Sequence, residues 1–276
     1  MPVHPVPITS ANHVNLYWEQ HGDRGAPVVL VHGSWGDHHT WDAVAPELGR
    51  TFRVLTYDRR GHSQSERPAA PGSIGEDAAD LAALIVALDA SPAHVVGNSS
   101  GAAIALRLAA SRPELVANLA LHEPPLFALL ADDPGLADAL ADVQQRVGAV
   151  IDTLQSGQTE AGARQFVETV ALGPGMWERF PPELRRVFVV NASTWLDEMN
   201  DPDAFVADLR AFSAFTQPVL LTQGDKSPSS FAPIVERVAA AMPNARRQVF
   251  PGAGHVPQMT HAADFVRVVR EFLSGR

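Results

Sequence analysis

Apolar positions follow two rhythms along this chain. In Val14-Asn15-Leu16-Tyr17-Trp18 they alternate with polar ones, the period of a strand exposed on one face, whereas Val28-Val29-Leu30-Val31 is an unbroken apolar run, as in a strand covered on both. The pattern places the first at a sheet edge and the second at the sheet's centre. Short apolar runs recur at 53–57, 94–97, 116–121, 219–222 and 248–250, separated by stretches of helical length such as 74–88, 100–111 and 262–273. Strand and helix in alternation predict an α/β fold: a mostly parallel central sheet with helices on both faces. In such folds the chemistry gathers in loops at the carboxyl ends of the strands.

The rhythm breaks between Pro124 and Pro218. Residues 136–154, 160–171, 183–196 and 202–213 are helix-like, interrupted by Gly173-Pro174-Gly175 and Pro181-Pro182, and no strand is evident there. The chain therefore reads as one core domain, residues 1–123 and 218–276, carrying a helical cap (lid) insertion at 124–217. Phe127, Met176, Trp177, Phe180, Trp195 and Met199 lie in the insertion. Each alone suits a helix core; together they supply a wall for a pocket between insertion and sheet. Trp177 and Trp195, with Trp35 from the core, are the candidate pocket residues.

A formal charge of −10 argues against a nucleic-acid or anionic-membrane partner, whose own negative field would repel this one. With no cysteine, disulfides, thiolate catalysis and cysteine-bound zinc are excluded, so a nucleophile must be oxygen or nitrogen. Met1–Ser10 has no apolar run with a basic flank and reads as neither a signal peptide nor a membrane anchor. The expectation is a cytoplasmic protein acting on a small molecule; its oligomeric state is not encoded in any visible pattern.

Gly97-Asn98-Ser99-Ser100-Gly101 stands where the 94–97 strand runs into an Ala-rich helix. A serine on so sharp a turn needs nearly side-chain-free neighbours two positions away, which Gly97 and Gly101 provide. The hydroxyl needs a base, and of the 11 histidines His255 fits, because Gly252-Ala253-Gly254-His255-Val256-Pro257 links the last strand to the final helix. An oxyanion formed on attack needs two backbone N–H donors. Ser100, opening the helix, offers one; Ser34, in the loop His32-Gly33-Ser34-Trp35-Gly36 after the central strand, offers the other. His38, His39, His62 and His261 read as solvated loop or helix-edge residues. The adjacent pair His38-His39 lacks zinc-site spacing, so neither metal nor cofactor is expected.

These motifs, in this order, resemble the α/β-hydrolase family over nearly the whole chain. His32–Gly36 resembles its oxyanion loop, and Tyr57-Asp58-Arg59-Arg60-Gly61-His62-Ser63 its turn after the next strand. Most relatives carry a triad aspartate in a Gly-x-x-Asp arrangement, but Gly224-Asp225-Lys226-Ser227 puts serine there. Two acids remain as candidates. Glu123, in Leu121-His122-Glu123-Pro124-Pro125, ends the strand before the insertion, as the acid does in haloalkane dehalogenases and in lactonases that open zearalenone. Asp225 lies in the later loop. Glu123 is preferred, with His122 turned to the strand's opposite face as a structural residue.

The resemblance implies a cofactor-free serine hydrolase of carboxylic esters, with Ser99 as nucleophile, His255 as base and Glu123 as acid. A lactonase is the alternative, as is a C–C bond hydrolase or perhydrolase sharing the triad. Dehalogenation is disfavoured, because it needs a carboxylate where Ser99 stands. A reading from another class is a low-turnover ligand receptor retaining the fold and triad.

Overall fold

The computed structural model describes residues 7–275, so residues 1–6 of the Met1–Ser10 segment read above lie outside it. Eight strands form one sheet: β1 (Ile8–Ala11), β2 (Val14–His21), β3 (Pro27–Val31), β4 (Arg53–Tyr57), β5 (Ala93–Asn98), β6 (Val116–His122), β7 (Val219–Gly224) and β8 (Ala245–Phe250). Their order is β1-β2-β4-β3-β5-β6-β7-β8, with β1 and β2 antiparallel and the remainder parallel. The alternating strand β2 is one place in from the edge, because the short β1, with two polar residues of four, pairs outside it.

Side chains along β3 show why an unbroken apolar run was needed at the centre. Val29 and Val31 point into the cluster formed with α2 (Ile74–Ala87) and α3 (Ser100–Ser111), while Val28 and Leu30 point into the cluster on the other face. That second face is covered by α1 (Ala45–Leu48) and α11 (Ala262–Leu273). On α11, Phe265, Val266, Val269, Phe272 and Leu273 are buried, the three-to-four spacing of a helix with one apolar stripe.

Between β6 and β7 the chain forms α4 (Ala137–Gln155), α5 (Thr159–Gln165), α6 (Met176–Arg179), α7 (Pro182–Asn200) and α8 (Leu209–Ser213), with no strand among the described residues. The helix expected at 202–213 is shortened to α8. Asp201 Oδ1 accepts the Asp203 N–H at 2.9 Å and Asp208 caps Ala211 N at 2.9 Å, so local side-chain bonds win over earlier helical turns. Beyond β7 come α9 (Phe231–Ala241) and, after β8, α10 (Pro257–Thr260). No described helix is long and apolar enough to cross a membrane.

Candidate active site

Ser99 sits between β5 and α3 with φ 55° and ψ −126°, a conformation an L-residue holds only when its surroundings impose it. They do so at both ends: Ser99 N–H donates to the His122 carbonyl at 2.9 Å, and its own carbonyl accepts from Ala102 N at 2.8 Å. A Cβ on Gly97 would lie 2.5 Å from the Gly101 oxygen, and one on Gly101 2.2 Å from the Val31 oxygen. The two glycines thus let the helix start directly over the central strands, with Ser99 facing outward.

Glu123 follows the last residue of β6 with φ 46°, so the strand's alternation ends there and its carboxylate swings towards the His255 loop. The carboxylate is fully buried. Oε2 accepts from His255 Nδ1 at 2.6 Å and Oε1 from Gly224 N at 2.8 Å. Burial pushes its pKa up, but the His255 hydrogen bond and the neighbouring imidazoles outweigh this and hold it below the usual carboxylate range. Asp225 does not reach His255. Its Oδ1 accepts from Gly252 N at 2.8 Å, which shapes the loop instead. Because of the turn at Glu123, His122 does not face away from the acid: its Nε2 lies 3.5 Å from Glu123 Oε2.

The His255 ring stacks on Phe231, with centroids 4.5 Å apart. A clamp that the sequence did not reveal fixes its backbone: Asn98 Nδ2 donates to the His255 carbonyl at 2.9 Å, while Gln258 Nε2 donates to Asn98 Oδ1 at 3.1 Å. With Nδ1 engaged by Glu123, Nε2 is left for the cavity that both His255 and Ser99 line. Ser99 Oγ and His255 Nε2 make no direct hydrogen bond.

The loop after β3 is held by His32. Its Nδ1 donates to Gly33 O at 2.8 Å and its Nε2 accepts from Arg59 N at 3.0 Å, an arrangement that requires the neutral ring. Burial, reinforced by the Arg59 charge, pushes its pKa down to about 3. Gly33 O and Ser34 N–H belong to one peptide plane and point in opposite directions, so a bond to the carbonyl aims the amide. Neither Ser34 N–H nor Ser100 N–H donates to any described group. Trp35 has φ 66° and projects out of the core domain into the insertion.

A cavity of about 410 Å³ separates insertion from sheet. Apolar side chains such as Phe127, Phe166, Trp195, Met199 and Phe231 dominate its lining, and no Asp, Glu, Lys or Arg contributes to it. Of the candidate pocket tryptophans, only Trp195 lines it. Trp35 and Trp177 are buried in the insertion's own core, where Trp35 stacks on Phe166 with centroids at 4.7 Å and packs against Trp195 at 5.2 Å. Met176 and Phe180 pack in that core as well.

Two histidines expected in solvent are buried. His38 Nδ1 pairs with Asp58 Oδ1 at 2.6 Å, and His62 Nε2 meets Thr194 Oγ1 at 2.9 Å. Ligand atoms of Asp37, His38 and His39 cluster within 4.8 Å, as do those of His122, Glu123 and His255. In each cluster a 2.6 Å hydrogen bond, His38–Asp58 or His255–Glu123, already occupies a ring nitrogen.

The main feature absent from the sequence reading is Glu198, on α7. It lies buried between Ser34 and Arg59, accepting from Ser34 Oγ at 2.5 Å and from Arg59 Nη2 at 2.8 Å. Burial pushes its pKa up, against the pull of Arg59 and Ser34. No local motif marks it: an acid on an insertion helix is ordinarily a solvated one.

A family profile for the alpha/beta hydrolase fold matches residues 26–262. A pimeloyl-[acyl-carrier protein] methyl ester esterase of Neisseria meningitidis serogroup B is 30% identical over 253 residues, covering 90% of this chain and 93% of that protein. Among solved structures, an alpha/beta hydrolase of Sphaerobacter thermophilus superposes with a TM-score of 0.75 at 25% identity, covering 96% of this chain and 99% of that one. The enol-lactonase of Burkholderia xenovorans superposes with a TM-score of 0.75 at 23% identity, covering 97% and 100%, a likeness of fold.

Proposed function

The chain belongs to the α/β-hydrolase family, and on that footing we propose that it is a serine hydrolase of uncharged carboxylic esters working through a Ser99-His255-Glu123 triad. What carries the reading is one arrangement: Ser99 and His255 face the same cavity, while the far nitrogen of His255 is bound to a buried carboxylate. His255 Nε2 takes the proton from Ser99 Oγ as the oxygen attacks the substrate carbonyl. Glu123 keeps the proton of Nδ1 in place and stabilises the imidazolium that forms. The Ser34 and Ser100 amides receive the oxyanion. The leaving alcohol departs with the proton from His255, and water then attacks the acyl-enzyme by the same route in reverse. Substrate closes the Ser99–His255 separation, since such bonds often tighten only in the Michaelis complex.

The cavity sets the substrate class. Without a charged side chain in its wall, it gives a carboxylate or ammonium group no partner to offset lost hydration. Residues 124–217 act as its lid. A lactone is a second substrate form this chamber favours, because a single apolar space of about 410 Å³ holds the acyl and alcohol parts together, as ring opening requires.

A fluorophosphonate probe on wild type and Ser99→Ala, with p-nitrophenyl esters and neutral lactones as substrates, tests this. Labelling at Ser99 and turnover lost in the variant are expected, with esters bearing an acyl carboxylate at least tenfold poorer than neutral ones. Labelling without turnover would identify a ligand receptor, and turnover persisting in Ser99→Ala would overturn the triad.

A further inference from the structure

We propose that Glu198 is a positioning residue for catalysis: from the insertion, it sets the placement of the Ser34 amide, one of the two that bind the oxyanion. The inference rests on the reading of Ser34 and Ser100 as those donors. Both residues also carry hydroxyls, and both hydroxyls are tied to one buried assembly. Ser34 Oγ donates to Glu198 Oε2 at 2.5 Å; Arg59 Nη1 donates to Ser100 Oγ at 3.1 Å; the two hydroxyl oxygens are themselves 3.1 Å apart. Arg59 Nη2 closes the circuit on Glu198 Oε1 at 2.8 Å.

Neutralising Arg59 does not require Glu198. Asp77, on α2 within the core domain, already binds the guanidinium twice, from Nε at 3.2 Å and Nη2 at 2.7 Å. One carboxylate matches one guanidinium, and a second carboxylate in a buried setting carries a desolvation cost that its own bonds must offset. Glu198 is therefore surplus to the charge balance of Arg59. What it adds is the 2.5 Å bond to Ser34 Oγ, whose core-domain partner, the Ser100 hydroxyl, lies farther off at 3.1 Å.

The geometry explains why that bond matters. The peptide between Gly33 and Ser34 is held at its carbonyl end by His32 Nδ1 and, just past its amide end, by the Ser34 side chain on Glu198. With both ends tethered, the N–H has one direction. Releasing the second tether lets the plane pivot about the first, and a donor displaced by about 1 Å loses roughly a hundredfold in rate. Glu198 touches no reacting atom and acts through Ser34.

The experiment uses the full chain with Glu198→Leu and Glu198→Gln, plus Ser34→Ala alone and combined with Glu198→Leu. For a neutral p-nitrophenyl ester the expected result is a kcat lower by roughly 10- to 100-fold with KM changed less than about threefold. A trifluoromethyl ketone, whose adduct places an oxyanion between the two amides, should lose affinity by the same factor as kcat/KM, while the matching methyl ketone keeps its affinity. The Ser34→Ala/Glu198→Leu double variant should be no slower than the slower single variant, because the two side chains act on one peptide. Equal weakening of both ketones, additive losses in the cycle, or an unchanged kcat would each overturn the proposal. If Glu198→Leu fails to fold, Glu198→Gln, which keeps the shape and one acceptor, is read by the same ketone pair. Wild-type turnover that survives Ser99→Ala would instead sink the underlying triad reading, so the two failures are separable.

Discussion

At the scale of single residues, three non-glycine side chains around the cavity sit at positive φ: Trp35, Ser99 and Glu123. Ser99 and Glu123 each turn a strand end, and Trp35 the loop after β3, and each is held there by the surrounding structure rather than by its own preference. For Glu123, replacement by Gln leaves the shape but removes the charge that, in the proposed triad, balances the imidazolium. Glu123→Gln should lower kcat by roughly a thousandfold or more, whereas Asp225→Asn should stay within about threefold, measured side by side on a chromogenic ester. Ser99 and His255 stood out as candidates because glycines and sharp turns leave marks in sequence, and Glu123 because it ends a strand just before two prolines. Glu198 did not, because its partners Arg59 and Ser34 lie 139 and 164 positions away. His38 and His62 were misread for a related reason: their burial depends on Asp58 and Thr194, and nothing adjacent to either histidine records those contacts.

At the scale of elements, periodicity identified most of the sheet and its helices, since runs such as Val28–Val31 have one comfortable environment. It missed β1 and shortened β2, because the four residues of β1, two polar and two apolar, are too few to show a period and pair only because a neighbour is present. One face of α7 packs the insertion onto the loops above the sheet, beside contacts of α8 with α3 and α9. Asn191, Thr194, Trp195 and Glu198 follow at helical spacing, and all four contact the 34–36 loop or the 59–63 turn. Asn191 is fully buried, donating to Gly36 O at 2.8 Å and accepting from Ser63 N at 2.8 Å. Asn191→Ala leaves both of those partners unpaired and should cost about 2–4 kcal/mol, read as a shifted urea midpoint at unchanged slope.

For the molecule as a whole, pH dependence follows from imidazoles that folding removes from water. His32 and His122 are each pushed down to about 3, chiefly by burial. The unfolded chain protonates both near pH 6.5, so below that point it binds protons that the folded state refuses. Stability is fully present above about pH 6.5 and is lost as pH falls towards 3, by about 2 kcal/mol per imidazole at pH 5. His38 has the opposite sign. Burial alone would lower it, but the Asp58 bond and charge hold it raised, so its contribution is present at low pH and fades as pH rises through its folded value. Urea titrations from pH 7 to 5 should show the net fall, and His122→Asn should flatten the slope by about one proton. One feature bears on how this architecture can be altered. Trp35 is encoded in the sheet domain yet buried among Phe166, Phe188 and Trp195 of the helical one, like a dowel cut from one board and seated in the next. Transplanting residues 124–217 onto another scaffold without 32–36 would leave an empty socket in the graft, and deleting them would strand an uncovered indole on the sheet domain. The unit of exchange in this protein is therefore the helical piece together with its peg.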